Sequence, residues 1–264
     1  MSAVDIPSVD TAPRHVWRRP TAMFVVSWLL LCLPWLTGLR VLPHDAAQQF
    51  FPAVGFVAEQ LRHLQAPWWN PWLYGGYPQV ADPQMMSLQP SMVLPMLLAP
   101  SSLHWFSVVV MLHLLAGGIG ALRLGRLHGL RPAPQLIFAL VFLFGGVASS
   151  RLQHTPMIVS YCVLPWLWLW MARLRRDGQW RHALLAGLAG GLVALQLTQV
   201  TYFIIIACGV YALLATLTAA RGQRLATIAR YLLVAAVAAV LSAPQWLSTL
   251  AYLPFSNRAA LMLE

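Results

Sequence analysis

The chain contains no lysine and only seven acidic residues, so charged side chains make up 9% of its 264 residues. Soluble domains carry about 25%. With 59% hydrophobic residues and a mean hydropathy of +0.66, the scarcity of charge excludes an ordinary soluble domain and predicts an all-α integral membrane protein. All 17 basic residues are arginines, giving a formal charge of +10. They fall in short clusters between apolar stretches rather than on one soluble face, which excludes nucleic acid as a partner and assigns them to setting membrane topology. Cysteine is also scarce. Cys32, Cys162 and Cys208 lie singly in apolar stretches, without the C-x-x-C spacing of a redox or metal site, and read as packing residues.

Long charge-free runs are plentiful. A bilayer core needs about 20 apolar residues per helix, and seven segments meet or approach that length: 21–39, 103–122, 133–150, 155–172, 183–199, 200–220 and 231–250. The fifth and sixth are nearly continuous. The polar stretch Gln196, Thr198, Gln199 and Thr201 marks a tight turn between them. Arg14, Arg18 and Arg19 ahead of the first run resemble a signal peptide, but the run is span-length and no small-x-small cleavage site follows, so an uncleaved first helix is expected. Gly117/Gly118 and Gly190/Gly191 are small-residue pairs of the kind that let membrane helices approach closely.

Arginine placement then predicts orientation. With a cytoplasmic N-terminus, thirteen arginines flank the inner ends of the spans: 14, 18, 19, 123, 126, 131, 173, 175, 176, 181, 221, 224 and 230. Only Arg40, Arg62, Arg151 and Arg258 remain outside. The positive-inside rule therefore puts residues 1–20 in the cytoplasm as a disordered segment and the loop 41–102 outside. A transmembrane module is expected over 21–258, with 259–264 as a short tail.

The loop 41–102 is where chemistry is expected. It holds Asp45, Glu59 and Asp82, three of the seven acids, among Trp, Tyr, Gly and Pro. Residues 45–65 read as an amphipathic helix, with Phe50, Phe51, Val54, Val57, Ala58 and Leu61 opposite Gln48, Gln49, Glu59 and Arg62, lying in the membrane interface. The stretch APWWNPWLYGGYP suits the headgroup region. Asp45, just past the first span, is either a helix N-cap or a general base or metal ligand with His44 as its neighbour. Asp82 precedes a proline and is either a turn-former or a functional carboxylate. Glu59 pairs with Arg62 in solvent. His104 and His113, nine residues apart, fall on different helix faces and do not share a metal. Arg151 and His154 share a short outer turn, and Arg151 with Arg258 is suited to hold a lipid phosphate or to reach for headgroups.

Three ordered segments of the loop carry a resemblance: Asp45, Gln49 and Pro52; Trp69, Asn70, Pro71, Gly75, Gly76 and Pro78; and Asp82, Pro83 and Gln84. They resemble the YfhO-like membrane proteins of the GT-C glycosyltransferase superfamily, as do Leu195–Gln199 and Ala243–Leu247 followed by Ser256–Arg258. The resemblance covers about 21–258. It implies seven transmembrane helices, a long first outer loop with interface helices, and a polyprenyl-phosphate sugar donor. It also implies a catalytic carboxylate at the start of the loop, matching Asp45. Such proteins continue through further helices, which marks this chain as a fragment or a minimal module.

The expected function is transfer of a sugar from the lipid-linked donor to a cell-envelope glycan or lipid at the outer face of a bacterial inner membrane. Asp45 and Asp82 are the expected catalytic residues, and the expected ligands should a divalent ion (Mg or Mn) take part. His44, Gln49, Asn70, Gln84, Arg151, His154 and Arg258 are expected at the substrate. The competing reading is a non-catalytic membrane protein, transporter-like or an assembly partner, although the spans lack the Asp, Glu or Arg that transporters place at mid-membrane.

Overall fold

The computed structural model of the chain describes residues 14–256, with side chains from Arg19 onward. Arg258 and the tail 259–264 lie outside the described residues. So do residues 1–13, whereas Arg14–Pro20, expected in the disordered segment, form the first turns of a helix.

The described residues form ten α-helices joined by short turns: α1 (Arg14–Leu36), α2 (Phe51–Arg62), α3 (Pro90–Leu98), α4 (Leu103–Leu127), α5 (Pro132–Phe144), α6 (Gly146–Ser150), α7 (Thr155–Asp177), α8 (Trp180–Ala194), α9 (Gln199–Thr218) and α10 (Arg224–Tyr252). Local chemistry sets many of these boundaries. Prolines, which lack the N–H that a first turn leaves unpaired, open α3, α5 and α7. Ser102 and Thr198 cap α4 and α9 by accepting from Trp105 N and Thr201 N. Gly178, at φ +64°, ends α7 in the left-handed conformation. Gly145 divides the expected span 133–150 into α5 and α6.

Six helical segments are long and apolar enough to cross a membrane: Arg19–Leu36, Leu103–Leu127, Pro132–Ser150, Thr155–Asp177, Gln199–Thr218 and Arg221–Phe255. The chain is thus a multi-pass membrane protein. Seven spans were expected, and the difference is α8. The segment expected to cross at 183–199 is a helix of 15 residues, about 22 Å long at 1.5 Å per residue. It stops at Ala194 because the polar turn Leu195–Thr198 intervenes, and Thr198 then starts α9. Lipid-facing surface is evident on α1, α9 and α10, where Leu30, Phe203, Ile206, Leu232, Val240 and Leu247 are all more than 60% exposed. Such contiguous apolar exposure is stable only in hydrocarbon.

Two apolar clusters form the interior. One joins α1, the loop 41–102 and α4 around Phe24, Trp28, Phe50, Val54, Met92, Met96 and Phe106. The other joins α7, α8, α9 and α10 around Leu167, Met171, Ala186, Val193 and Tyr231. α4 packs on α7 and links the two halves. The glycine pairs work as their size predicts. A Cβ on Gly118 would fall 1.8 Å from Phe24 Cζ, one on Gly117 2.9 Å from the Cys162 carbonyl oxygen, and one on Gly191 2.6 Å from Leu241 Cδ2. All three cysteines are free thiols, two of them buried.

This packing generates a stability prediction. Gly118→Ala should destabilise the protein by about 1–3 kcal/mol through overpacking against Phe24, even though alanine favours helix by about 1 kcal/mol. Gly209→Ala, which meets nothing within 4 Å, should be neutral or slightly stabilising. Thermal unfolding in detergent reads both; equal melting temperatures for the two variants would contradict the close α1–α4 contact.

Candidate functional site at the loop end

The long loop is held by side chains from the spans. Leu42 N donates to Ser107 Oγ at 3.0 Å. His44 then takes φ +53°, and its carbonyl accepts from both Ala47 N and Gln48 N, starting a π-helical turn over Ala46–Phe50 that runs into α2. Phe50, Val54, Val57 and Ala58 turn inward and are at most 3% exposed, covered by Met92 and Met96 of α3 and the aromatic side of α4. The amphipathic segment expected in the membrane interface is real. Its apolar face, however, is buried in protein.

Asp45 occupies the N-cap position of the π-helical turn but makes no side-chain cap hydrogen bond. Its Oδ2 instead lies 3.6 Å from His154 Nε2, with the two side chains 49% and 28% exposed. That separation is longer than a hydrogen bond. His154 heads α7 without capping it, and its Nδ1 is buried with no partner. Its backbone N–H closes the turn on the Arg151 carbonyl at 2.8 Å, placing an exposed Arg151 at the other end of the same turn. The structure thus brings Asp45 to His154, more than 100 residues away, whereas the sequence neighbour His44 is exposed in its own left-handed turn.

The middle of the loop is a tight hairpin closed by an antiparallel bridge between Asn70 and Tyr77, with N–H···O distances of 2.8 and 2.9 Å. Gly76, at φ +130°, packs under the Trp69 ring so closely that a Cβ would fall 2.5 Å from Cζ2. Buried Asn70 donates to Gln79 Oε1 and accepts from Trp72 N. Gln79 in turn donates to the Ala53 carbonyl of α2 and to Ser87 Oγ. Trp68, Trp69, Trp72 and Tyr74 stay exposed along the hairpin.

Asp82 caps the short 3-10 turn Pro83–Met85. Its Oδ1 accepts from Gln84 N at 2.8 Å and its Oδ2 from Tyr77 OH at 2.5 Å. Burial, together with the adjacent Asp82 carboxylate, raises the Tyr77 phenol above its ordinary range, so it stays a donor at any physiological pH. Gln84 enters this geometry through its backbone, and Gln49 is half-buried on the π-helical turn. Glu59 pairs with Arg62 at 2.7 Å as expected, and the arginine and His63 hold its carboxyl below the usual range. Arg62 does more than pair: it also donates to the Met96 and Ala99 carbonyls at the end of α3. His104 contacts the Leu36 carbonyl, while His113 binds Val109 O and Ser91 Oγ, each at 2.8 Å.

For a divalent ion, Asp82 already has protein donors on both oxygens and Asp45 faces an imidazole. Among the described residues no group of three or more His, Cys, Asp or Glu is placed to hold a metal. The residues do not form a site that fits one.

Polar side chains inside the spans, to which sequence reasoning assigned no site role, hold the irregular backbone. Gln245 of α10 donates to the Val80 carbonyl at 2.8 Å, and Thr249 Oγ1 donates to the Ala81 carbonyl at 2.8 Å. Ser160 donates to Gln196 Oε1 at 2.8 Å beneath the α8–α9 turn. The available signal was a set of amides and hydroxyls inside otherwise apolar spans. Comparison with known proteins finds no protein-family model, no curated protein and no solved structure that matches the chain.

The α10 hook predicts a dynamic effect. Gln245→Leu preserves volume but leaves the Val80 carbonyl without its donor, at about 1–3 kcal/mol. Amide exchange over 77–89 should accelerate while exchange in α4 and α7 stays unchanged. Unaltered protection of 77–89 would show that α10 does not hold the loop.

Proposed function

We propose that the chain is a membrane glycosyltransferase module that works at the end carrying the 41–102 loop. It takes a sugar from a polyprenyl-phosphate donor and passes it to a hydroxyl of a cell-envelope glycan or lipid. The observation that carries the reading is Asp45: a half-exposed carboxylate at the start of the loop, free of capping duty and set opposite His154 and the Arg151 turn. A carboxylate beside an imidazole, with an exposed arginine three residues before that imidazole in the chain, supplies the groups that general-base transfer to a phosphate leaving group requires.

In this scheme the acceptor hydroxyl gives its proton to Asp45 as its oxygen attacks the sugar C1. The bond between C1 and the phosphate oxygen breaks, and the electron pair leaves on the polyprenyl phosphate. Arg151 offsets the developing negative charge, and a guanidinium suits this because it meets two phosphate oxygens at once. His154 orients Asp45 from the other side. Asp82, Asn70 and Gln79 shape the loop rather than touch the reacting atoms, and the exposed Trp68, Trp69, Trp72 and Tyr74 anchor it at headgroup level. The arginine bias assigns the loop end to the outside of a bacterial inner membrane, with α8 completing a seventh passage.

Two experiments test this. Gln65→Cys sits on an exposed part of the loop, so a membrane-impermeant maleimide should label it in intact cells; labelling only after lysis would reverse the orientation. Asp45→Asn should lower transfer from a radiolabelled polyprenyl-phosphate sugar by about 10²- to 10⁴-fold. Because Asp45 caps nothing, expression and melting temperature should not change. Near-normal turnover in Asp45→Asn would remove the carboxylate from the mechanism.

A further inference from the structure

A second site lies at the opposite, arginine-bearing end of the second half. Between α7, α8, α9 and α10 runs an almost wholly apolar slot of about 500 Å³, lined by Gly190, Cys208, Gly209, Ala235, Ala239 and Trp246 among others. Ala235 and Ala239 line it and are also exposed, so it opens sideways toward lipid. Along α10 it extends from Tyr231 to Leu247, about 24 Å by helix rise. The open space along that length, about 1230 Å³ with its mouth included, averages about 50 Å² in cross-section, whereas a helix about 10 Å across needs about 80 Å². A helix from another chain does not fit; a single hydrocarbon chain does.

At Tyr231 the slot meets a smaller polar pocket of about 160 Å³, also lined by Arg175, Thr218, Thr227 and Arg230. Tyr231 is 8% exposed and lines both cavities. Its hydroxyl and the Arg230 Nε are buried donors with no acceptor among the described residues. Arg175 donates to Thr218 Oγ1 and stacks near Tyr211, and Arg230 lies over Trp180; neither arginine meets a carboxylate in the ion pairs of the described residues. Buried donors without acceptors cost about 1–3 kcal/mol each. Two guanidiniums and a phenol facing one small pocket call for an oxyanion with more than one acceptor oxygen, and the apolar slot beside them calls for a hydrocarbon tail.

We infer that this compound cavity binds one anionic phospholipid, its phosphate held by Arg175, Arg230 and Tyr231 and one acyl chain lying in the slot. The lipid belongs to the leaflet at the arginine end and wedges α9 against α10. Its phosphate pocket lies at the end away from the loop, and the inference does not depend on the proposed transfer reaction.

Native mass spectrometry of the full chain, delipidated and titrated with phosphatidylglycerol or phosphatidylcholine, tests the inference. The wild type should prefer phosphatidylglycerol. Arg175→Gln with Arg230→Gln should weaken that binding by about 10- to 30-fold and leave phosphatidylglycerol and phosphatidylcholine close to equal in affinity. Ala239→Trp, which plugs the slot from its open side, should reduce both lipids. Arg176→Gln with Arg181→Gln, neighbours outside the pocket, should leave binding intact, and their melting temperature serves as the folding control. Equal losses in the two double variants would mean general attraction to a basic surface and would overturn the site. So would saturation by inorganic phosphate alone, or unchanged binding in Ala239→Trp.

Discussion

A backbone carbonyl or amide shut away from water must find a partner, and that requirement fixes the long loop to the helices. Leu42 N is met by Ser107, the Val80 and Ala81 carbonyls by Gln245 and Thr249, the Pro95 carbonyl by Trp105, and the end of α3 by Arg62. Each pairing joins a backbone group of the loop, irregular or in the last turn of α3, to a residue of a helix. With the loop fixed, Asp45 and His154 have defined positions, although they come from segments that share no hydrogen bond. Several of the polar residues in the spans are therefore structural fasteners for the long loop, as Ser160 is for the α8–α9 turn.

Much of this was legible in the sequence. The apolar runs gave most of the spans, because few sequences other than membrane helices hold 20 residues without charge. The polar break near 196–201 and the close packing at Gly118 and Gly191 followed from residue chemistry alone. Other features were not legible, for identifiable reasons. Periodicity shows that the segment 45–65 has an apolar face, but what covers that face depends on α3 and α4, which lie farther along the chain. Whether Asp45 caps the turn that follows depends on one hydrogen bond, which is absent, and its side chain meets His154 rather than His44 because nearness in sequence does not survive a left-handed turn at His44. The count of span-length helices fell to six because the break at Leu195 comes earlier than the apolar run implied.

The two halves of the bundle are packed differently. α8 meets α10 through glycines and alanines, with Gly187 and Gly191 against Val237 and Leu241. α9, by contrast, leaves space on its inner side: Gly209 meets nothing, and only Thr201, Ile204 and Ala215 of the helix are buried. Close contact on one side of α10 and slack on the other leave α9 loosely packed against it.

The brevity of α8 reaches beyond the protein itself. Leu184 and Leu188 leave part of its surface open to lipid, and its length of about 22 Å falls short of a hydrocarbon layer of about 30 Å. A bilayer meeting a short apolar face thins to match it. The membrane beside α8 would be dimpled, with headgroups and water drawn down toward the Leu195–Thr198 turn. A polar molecule approaching the bundle there would cross a thinner layer of hydrocarbon.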